Sequence, residues 1–209
     1  MSISFPKNIH LAPKRLHQRI KELEKINLSL SLEIEKFKRL KKENQTLRKV
    51  FNFKNEKGFD LVGADVVLFS PSSWRRFVEI NSGKNKGLKK GLFAIDENGK
   101  LIGKITQVSE DSAQVILVND PDFNLSVFIG EKGFGLLKGA LSGAKILYVE
   151  DGNEMHPGDK VWLKNPSLVV PVEVGTIAKV RRNPNNLFWD VDVELPLKNS
   201  FFEKLFIIK

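Results

Sequence analysis

Apolar residues recur at alternating steps of three and four along the first quarter of the 209-residue chain. Between Pro13 and Gly58 there is no proline or glycine, and most residues favour helices, so one long α-helix is predicted. The spacing fits about four heptads, because apolar residues repeat every 3.5 positions on average. Ile20, Asn27, Ile34 and Lys41 occupy the a positions, and Leu16, Leu23, Leu30 and Phe37 occupy the d positions.

This pattern predicts a parallel coiled-coil dimer. Isoleucine at a with leucine at d favours two parallel strands, and a buried Asn27 satisfies its amide against the same residue of a second copy. The alternative is one amphipathic helix packed on its own domain, but a helix of about 35 residues, near 50 Å long, would overhang a small domain. The expected dimerisation seam comprises Leu16, Ile20, Leu23, Asn27, Leu30, Ile34 and Phe37.

The pattern changes from Leu61 onward to short runs rich in β-branched and aromatic residues, separated by glycine and Asn/Asp turns. About eleven strands are predicted, and the Asn98-Gly99 pair in DENGK is a strong hairpin signal. The predicted fold class is mainly β with a long N-terminal α-helix, a coiled-coil helix followed by two small β-barrel-like domains.

Two stretches of this β region resemble each other. Gly91-Leu92-Phe93-Ala94-Ile95 leads into Ile102-Gly103-Lys104-Ile105, and Gly158-Asp159-Lys160-Val161-Trp162 leads into Val174-Gly175-Thr176-Ile177. A glycine inside a strand often marks a bulge or a barrel corner. We expect a basic segment and coiled coil at residues 1–57, a first barrel at 58–140 and a second at 141–209. A discontinuous first barrel stays an alternative.

The glycine-rich stretch INSGKNKGLKKG, residues 80–91, raises the question of a phosphate site. A phosphate loop needs Gly-Lys-Ser/Thr before a helix, whereas Leu88 follows Gly87 and strands surround the stretch. Glycines here are expected to supply the positive φ of tight turns. The predicted structural turn glycines are Gly83, Gly87, Gly91, Gly103, Gly158 and Gly175.

Charge is concentrated at the start of the chain. Residues 1–57 hold 15 Lys or Arg against 6 Asp or Glu, a net charge of +9, while the remainder is neutral. This asymmetry indicates either a solvated charged helix or a segment that binds an anionic surface, either nucleic acid or membrane headgroups. Too few basic residues precede the heptads for a basic zipper, so no specific nucleic acid is expected.

Catalytic chemistry finds little support in the sequence. There is no cysteine, and His10, His17 and His156 show no metal-ligand spacing, so no metal or cofactor is predicted. Two barrels also suggest a chymotrypsin-like hydrolase, but no nucleophile motif follows His156. A non-enzyme is therefore expected, with Trp74, Trp162 and Trp189 as core residues.

The order of short motifs resembles the bacterial rod shape-determining MreC family. The motifs are Glu43-Asn44-Gln45-Thr46-Leu47-Arg48, Ser70-Pro71-Ser72-Ser73-Trp74, Ile80 with Gly83, Gly87, Leu88 and Gly91, Leu101-Ile102-Gly103-Lys104-Ile105, Gly135-Leu136-Leu137-Lys138-Gly139 and Pro157-Gly158-Asp159-Lys160-Val161. The resemblance extends over nearly all of the chain, from Leu23 to the end.

The resemblance implies a scaffold of the cell-elongation and peptidoglycan-synthesis machinery, on the periplasmic or extracytoplasmic face of the bacterial inner membrane. It implies a homodimer, self-assembly beyond the dimer, and binding to a class B penicillin-binding protein, MreD, RodA and MreB. The alternative from another class is a periplasmic adaptor of a transport assembly, which usually carries two helical arms. No stretch of 18 apolar residues is present, so the family's membrane anchor is not expected within this sequence.

Overall fold

The computed structural model describes residues 11–70, 74–131, 133–140, 143–150, 155–165, 168, 170–182, 188–197 and 202–209. The chain divides into two compact units, Met1–Leu47 and Arg48–Lys209. The predicted long helix is present as α1 (Leu11–Lys57), whose 47 residues correspond to about 70 Å. It begins two residues before Pro13, which a first helical turn tolerates. Gly58 ends it with a left-handed φ of 70°.

The described residues of the second unit form twelve strands in two closed antiparallel barrels. The first barrel contains β1 (Leu61–Phe69), β2 (Phe77–Ile80), β3 (Phe93–Ile95), β4 (Leu101–Val108), β5 (Ala113–Leu117) and β12 (Lys204–Ile208). The second contains β6 (Asn124–Ile129), β7 (Gly133–Ala140), β8 (Gly143–Glu150), β9 (Lys160–Leu163), β10 (Val172–Arg182) and β11 (Phe188–Glu194). The predicted fold class, mainly β with one long helix, is confirmed.

The two barrels share one topology. Neighbouring strands run β1-β12-β3-β4-β5-β2 around the first barrel and β7-β6-β9-β10-β11-β8 around the second. Strand β12 thus occupies the place in the first barrel that β6 occupies in the second. The second barrel uses six consecutive strands, whereas the first takes its opening strand from the other end of the chain.

Strand β12 is buried on both faces because it serves two cores. Leu205 and Ile207 point into the first barrel, among its interior residues. Phe206 and Ile208 join a separate cluster that also contains the second barrel's interior and Phe93 of β3. The continuous apolar run Leu205–Ile208 therefore closes one barrel and attaches it to the other.

The expected domain boundary at residue 140 does not match the strand pairing. β7 pairs with β6 and β8, so residues 124–140 belong to the second barrel and the chain crosses between barrels at 118–123. The sequence prediction of about eleven strands did not include β7, whose Gly133, Gly135 and Gly139 are residues that strands rarely contain. A Cβ at Gly139 would lie 2.0 Å from the Asp120 carbonyl oxygen, so this glycine allows a close backbone approach instead.

Candidate interaction surfaces

The apolar members of the predicted dimerisation seam are exposed along α1. Their exposed fractions run from 45% at Ile20 to 68% at Phe37, and Asn27 is exposed as well. Apolar side chains in a regular stripe gain free energy when a second apolar surface covers them. The structure brings the seam residues onto one helix, while their pairing with a second copy stays a prediction.

Between Leu16 and Phe37, three further apolar residues of α1 lie outside the seam. Ile26, Leu28 and Leu32 are each more than half exposed. The heptad pattern gives them no partner, because they fall at g, b and f positions. Leu28 and Leu32 therefore provide a matched reference for the seam leucines, with the same side chain on the same helix.

The charged residues of α1 pair locally. Arg19 and Glu22 lie 3.1 Å apart, and Lys38 and Glu35 lie 2.8 Å apart, both one turn apart on the helix. Such exposed pairs contribute a few tenths of a kcal/mol, roughly. No helix within the described ranges joins the length and the apolar character that crossing a membrane requires.

The six predicted turn glycines fall into two groups. Gly87, Gly91 and Gly158 adopt left-handed φ values of 76°, 95° and 95°, which side chains with a Cβ rarely accept. Gly91 and Gly158 also make the same contacts in their barrels. Each donates its backbone N–H to the carbonyl oxygen of the isoleucine in the following Gly-x-Ile strand. The distance is 2.9 Å from Gly91 to Ile105 and 2.8 Å from Gly158 to Ile177. The internal repeat seen in the sequence is therefore a repeated backbone corner.

Gly83, Gly103 and Gly175 do not have the positive φ that was predicted for them. Glycine is needed at these positions for a different reason. A Cβ at Gly83 would lie 2.4 Å from the carbonyl oxygens of Ser109 and Glu110. At Gly103 and Gly175 it would lie 2.1 Å and 2.4 Å from a carbonyl oxygen of the adjacent strand. These glycines let two backbones approach closely where the barrels bend.

Apolar residues near the end of β1 and shortly after it are exposed, which the sequence did not predict. Trp74 was expected in the core, but 81% of it is exposed, and Val67 and Leu68 are at least half exposed nearby in sequence. Trp162 and Trp189 are half-buried. Residues 71–73 of the SPSSW motif lie outside the described residues.

The second barrel carries aromatic residues on its outer surface. Phe128 and Phe134 face each other across β6 and β7 with ring centroids 6.5 Å apart, and Lys164 lies over the Phe128 ring. Tyr148 packs edge-on against Phe188 and adopts a left-handed φ of 61°. Phe134 and Tyr148 are 64% and 60% exposed. An exposed aromatic side chain held in a strained conformation is a typical feature of recognition surfaces.

An ion cluster connects the two barrels. Glu173 of β10 accepts from Lys160 at 3.0 Å, and its other oxygen lies 3.2 Å from Lys100 of the first barrel. Burial alone would raise the pKa of Glu173, but hydrogen bonds from Lys160 and Lys100 and their charges outweigh it. The pKa of Glu173 is therefore lowered from its ordinary value.

The histidines take no part in a catalytic arrangement among the residues that are described. His156 is exposed in the turn before β9, where its backbone N–H donates to the Asp159 carboxylate at 2.8 Å. His17 is exposed on α1, and His10 lies outside the described ranges. Within those ranges, no group of three His, Asp or Glu side chains is placed to hold a metal ion.

Comparison with known proteins identifies relatives for most of the chain. A family model described as rod shape-determining protein MreC, barrel core, matches residues 66–209. The cell shape-determining protein MreC of Streptococcus pneumoniae is 29% identical over 166 residues, 73% of this chain and 60% of that protein. Its counterpart in Listeria monocytogenes is 27% identical over 191 residues, 87% of this chain and 62% of that protein. The chain thus spans about three fifths of the length of these relatives.

Solved structures share the fold. The L. monocytogenes MreC structure superposes with a TM-score of 0.65 at 22% identity, covering 98% of this chain and 96% of that one. A complex between penicillin-binding protein PBP2 and MreC from Helicobacter pylori matches with a TM-score of 0.58 at 14% identity, covering 72% of this chain and 98% of that one. At these identities the likeness shows the fold alone.

Proposed function

The chain belongs to the MreC family of rod shape-determining proteins, and from this premise we propose that it is a non-enzymatic scaffold of the bacterial cell-elongation machinery. It holds peptidoglycan-synthesising proteins together by dimerising through α1 and binding partners through its barrels. The observation that carries the proposal is the exposed heptad stripe of α1, since a scaffold needs a surface that joins copies.

Dimerisation requires the seam residues to pair in register. Leu23 and Leu30 lie at neighbouring d positions and are each 49% exposed in one chain. In a parallel dimer each inserts between four side chains of the second helix. Asn27 lies between them at an a position, where pairing with its counterpart selects the parallel, two-stranded arrangement.

Sedimentation of matched double variants tests the dimer. Leu23→Ala with Leu30→Ala removes seam contacts, at a typical cost of about 2 to 5 kcal/mol per buried leucine. Leu28→Ala with Leu32→Ala makes the same chemical change off the seam. We expect a dimer for the parent chain and the off-seam variant and a monomer for the seam variant. A monomeric parent, or equal weakening by both variants, contradicts the proposed seam.

We propose that the barrels bind a class B penicillin-binding protein. The H. pylori relative with this fold is in complex with penicillin-binding protein PBP2. On this chain the exposed Phe134 and Tyr148 of the second barrel supply rigid aromatic contact area, which is enriched at the centres of protein interfaces.

Capture of penicillin-labelled proteins from bacterial membranes tests this partner. The full chain is immobilised and compared with Phe134→Ser plus Tyr148→Asn, since asparagine tolerates the left-handed φ at position 148. Val67→Ser plus Leu68→Ser alters exposed apolar residues of the first barrel and serves as the matched control. We expect Phe134→Ser plus Tyr148→Asn to fail to capture the labelled protein, while the parent chain and the control variant still capture it. Capture by every variant, or by none including the parent, contradicts the assignment.

Family membership also supports the remaining expectations as proposals. The chain is placed on the extracytoplasmic face of the inner membrane, with MreD and RodA as membrane partners and MreB across the membrane. The net charge of +9 on residues 1–57 favours contact with anionic headgroups. Vesicle co-sedimentation that depends on anionic lipid and disappears at high salt is the expected result.

A further inference from the structure

A cleft of about 810 Å³ lies between the two barrels, within the volume range of ligand-binding pockets. Arg76 and Asn119 line it from the first barrel and the crossing segment. The charged residues Lys145, Arg181, Asp192 and Glu194 line it from the second barrel, together with small residues such as Ala178. The cleft therefore combines polar and charged walls with room for a polypeptide backbone.

The junction fixes the backbone at Arg76. Asp120, which is 1% exposed, accepts a hydrogen bond from the Arg76 N–H and another from the Asp122 N–H at 2.8 Å. Gly139 of β7 lies against the Asp120 carbonyl, where a Cβ would approach within 2.0 Å. Because both barrels hold this turn, the Arg76 side chain starts from a rigid position at the edge of the cleft.

The charges of the cleft are unevenly paired. Arg181 pairs with Asp192, and Arg75, which neighbours Arg76 in sequence, pairs with Asp122. Within the part of the chain that the structure describes, the side chains of Arg76 and Lys145 have no acidic partner. A half-buried guanidinium without an acceptor keeps several hydrogen-bond donors available for a ligand.

Asn119, which lines the same cleft, has an unmatched hydrogen-bond acceptor. Its Oδ1 atom is buried and accepts no hydrogen bond from any described residue. Unpaired buried amide oxygens are rare, and each costs about 1 to 3 kcal/mol. A ligand that offers a carboxylate to Arg76 and an N–H donor to Asn119 matches both groups, and a peptide carries both.

We propose that this cleft binds an acidic segment of a partner polypeptide, with an Asp or Glu carboxylate paired to Arg76. Charge complementarity selects this occupant, because Arg76 and Lys145, the lining side chains without an acidic partner among the described residues, are both cations. The small lining residues Ala140, Gly143, Ala144 and Ala178 leave space for the peptide backbone. The site is separate from the exposed aromatic residues Phe134 and Tyr148, so it does not depend on which protein binds there.

Selection from a library of random displayed peptides tests the proposal on the full chain. Arg76→Gln removes the proposed carboxylate-binding group, and Arg75→Gln makes the same charge change next to it, outside the cleft lining. We expect the parent and Arg75→Gln to select peptides with an acidic residue at one common position. Arg76→Gln is expected to lose that selection and to bind the selected peptides about ten-fold or more weakly.

Amide spectra of the ¹⁵N-labelled chain then locate the binding. The selected peptide should shift the signals of Asn119, Gly143 and Ala178, and its Glu-to-Gln counterpart should not. Four outcomes overturn the proposal: no common acidic position, selection that survives Arg76→Gln, equal loss in Arg75→Gln, or equal shifts from inorganic phosphate alone. Equal melting temperatures of the two variants verify that the comparison concerns binding.

Discussion

The two barrels of this chain have the same strand order but close in different ways. The second is built from consecutive strands β6 to β11, so its pairings are local in sequence. The first pairs β1 with β12, joining Leu61 to Ile208 across almost the whole barrel region. Local corners are equivalent in both, since Gly91 and Gly158 donate to corresponding isoleucines. The same local corner therefore occurs in a barrel made of consecutive strands and in a barrel closed by a strand from the end of the chain.

Closure from the far end makes the first barrel dependent on the second. Forming a long-range pairing orders a large loop, and this loss of chain entropy precedes the gain of contacts. Such pairings are therefore expected to form late in folding. The intervening barrel shortens that loop once it has folded. We infer that the second barrel folds independently and that the first closes on it through β12.

Removal of the last strand should have the largest effect on this comparison. Deleting residues 204–209 exposes the partners of Leu205, Phe206, Ile207 and Ile208, each at most 3% exposed in the folded chain. Burial of four such side chains contributes more than about 6 kcal/mol. This is comparable to the stability of a whole domain. Amide hydrogen exchange should show protection lost in β1 to β5 and largely kept in β6 to β11. Protection retained in β1 would contradict the dependence.

Adding a methyl group at the equivalent strand glycines should have the next largest effect. At Gly103 the new Cβ meets a carbonyl oxygen at 2.1 Å and a Val115 methyl at 2.8 Å, and at Gly175 the distances are 2.4 Å and 3.1 Å. We expect losses of about 1 to 3 kcal/mol for Gly103→Ala and Gly175→Ala, with Gly103→Ala the more damaging.

Gly63→Ala is the control for that pair. A Cβ at Gly63 makes only an ordinary contact, 3.5 Å from the Phe206 ring. The free energy of unfolding should change by less than about 0.5 kcal/mol, because alanine also reduces the entropy of the unfolded chain. Denaturant unfolding compares the three variants, and equal losses at all three would remove the close-approach explanation.

The ion cluster between the barrels should give the smallest effect. Because the pKa of Glu173 is lowered in the folded chain, its contribution is fully present above the ordinary glutamate pKa. It is lost as the pH falls through the lower folded pKa. Glu173→Gln should cost under about 1 kcal/mol at neutral pH, since both lysines are well exposed. The difference from the parent should vanish in acid, and thermal unfolding at the two pH values measures it.

Much of this fold follows from the sequence because its elements are locally encoded. The heptads between Pro13 and Gly58 predict the helix, and the Gly91 and Gly158 repeats predict two similar barrels. Strand β7 was not predicted because glycine is rare in strands, whereas Gly135 and Gly139 are required there by close backbone carbonyls. The role of β12 depends on a pairing across the barrel region, which no local pattern specifies.

The interaction surfaces were less predictable than the fold. Leucine spacing along α1 marks the seam directly, because a helix converts sequence period into one face. Trp74 resembles a core residue in sequence, yet the structure leaves 81% of it exposed. Arg76 carries no motif at all. The hydrogen bond from its backbone N–H to Asp120 joins residues 44 positions apart, which no local sequence pattern specifies.

Cross-strand contacts between β1 and β12, observed by NMR in the full chain, test most directly whether the last strand closes the first barrel. We expect nuclear Overhauser effects that join Leu61 to Ile208 and Ala64 to Leu205 in an antiparallel register. We also expect slow exchange of the Lys209 amide, which donates to the Asp60 carbonyl at 2.9 Å. Contacts between β1 and any other strand in place of β12, or a freely exchanging C-terminus, would show that β12 does not close the first barrel.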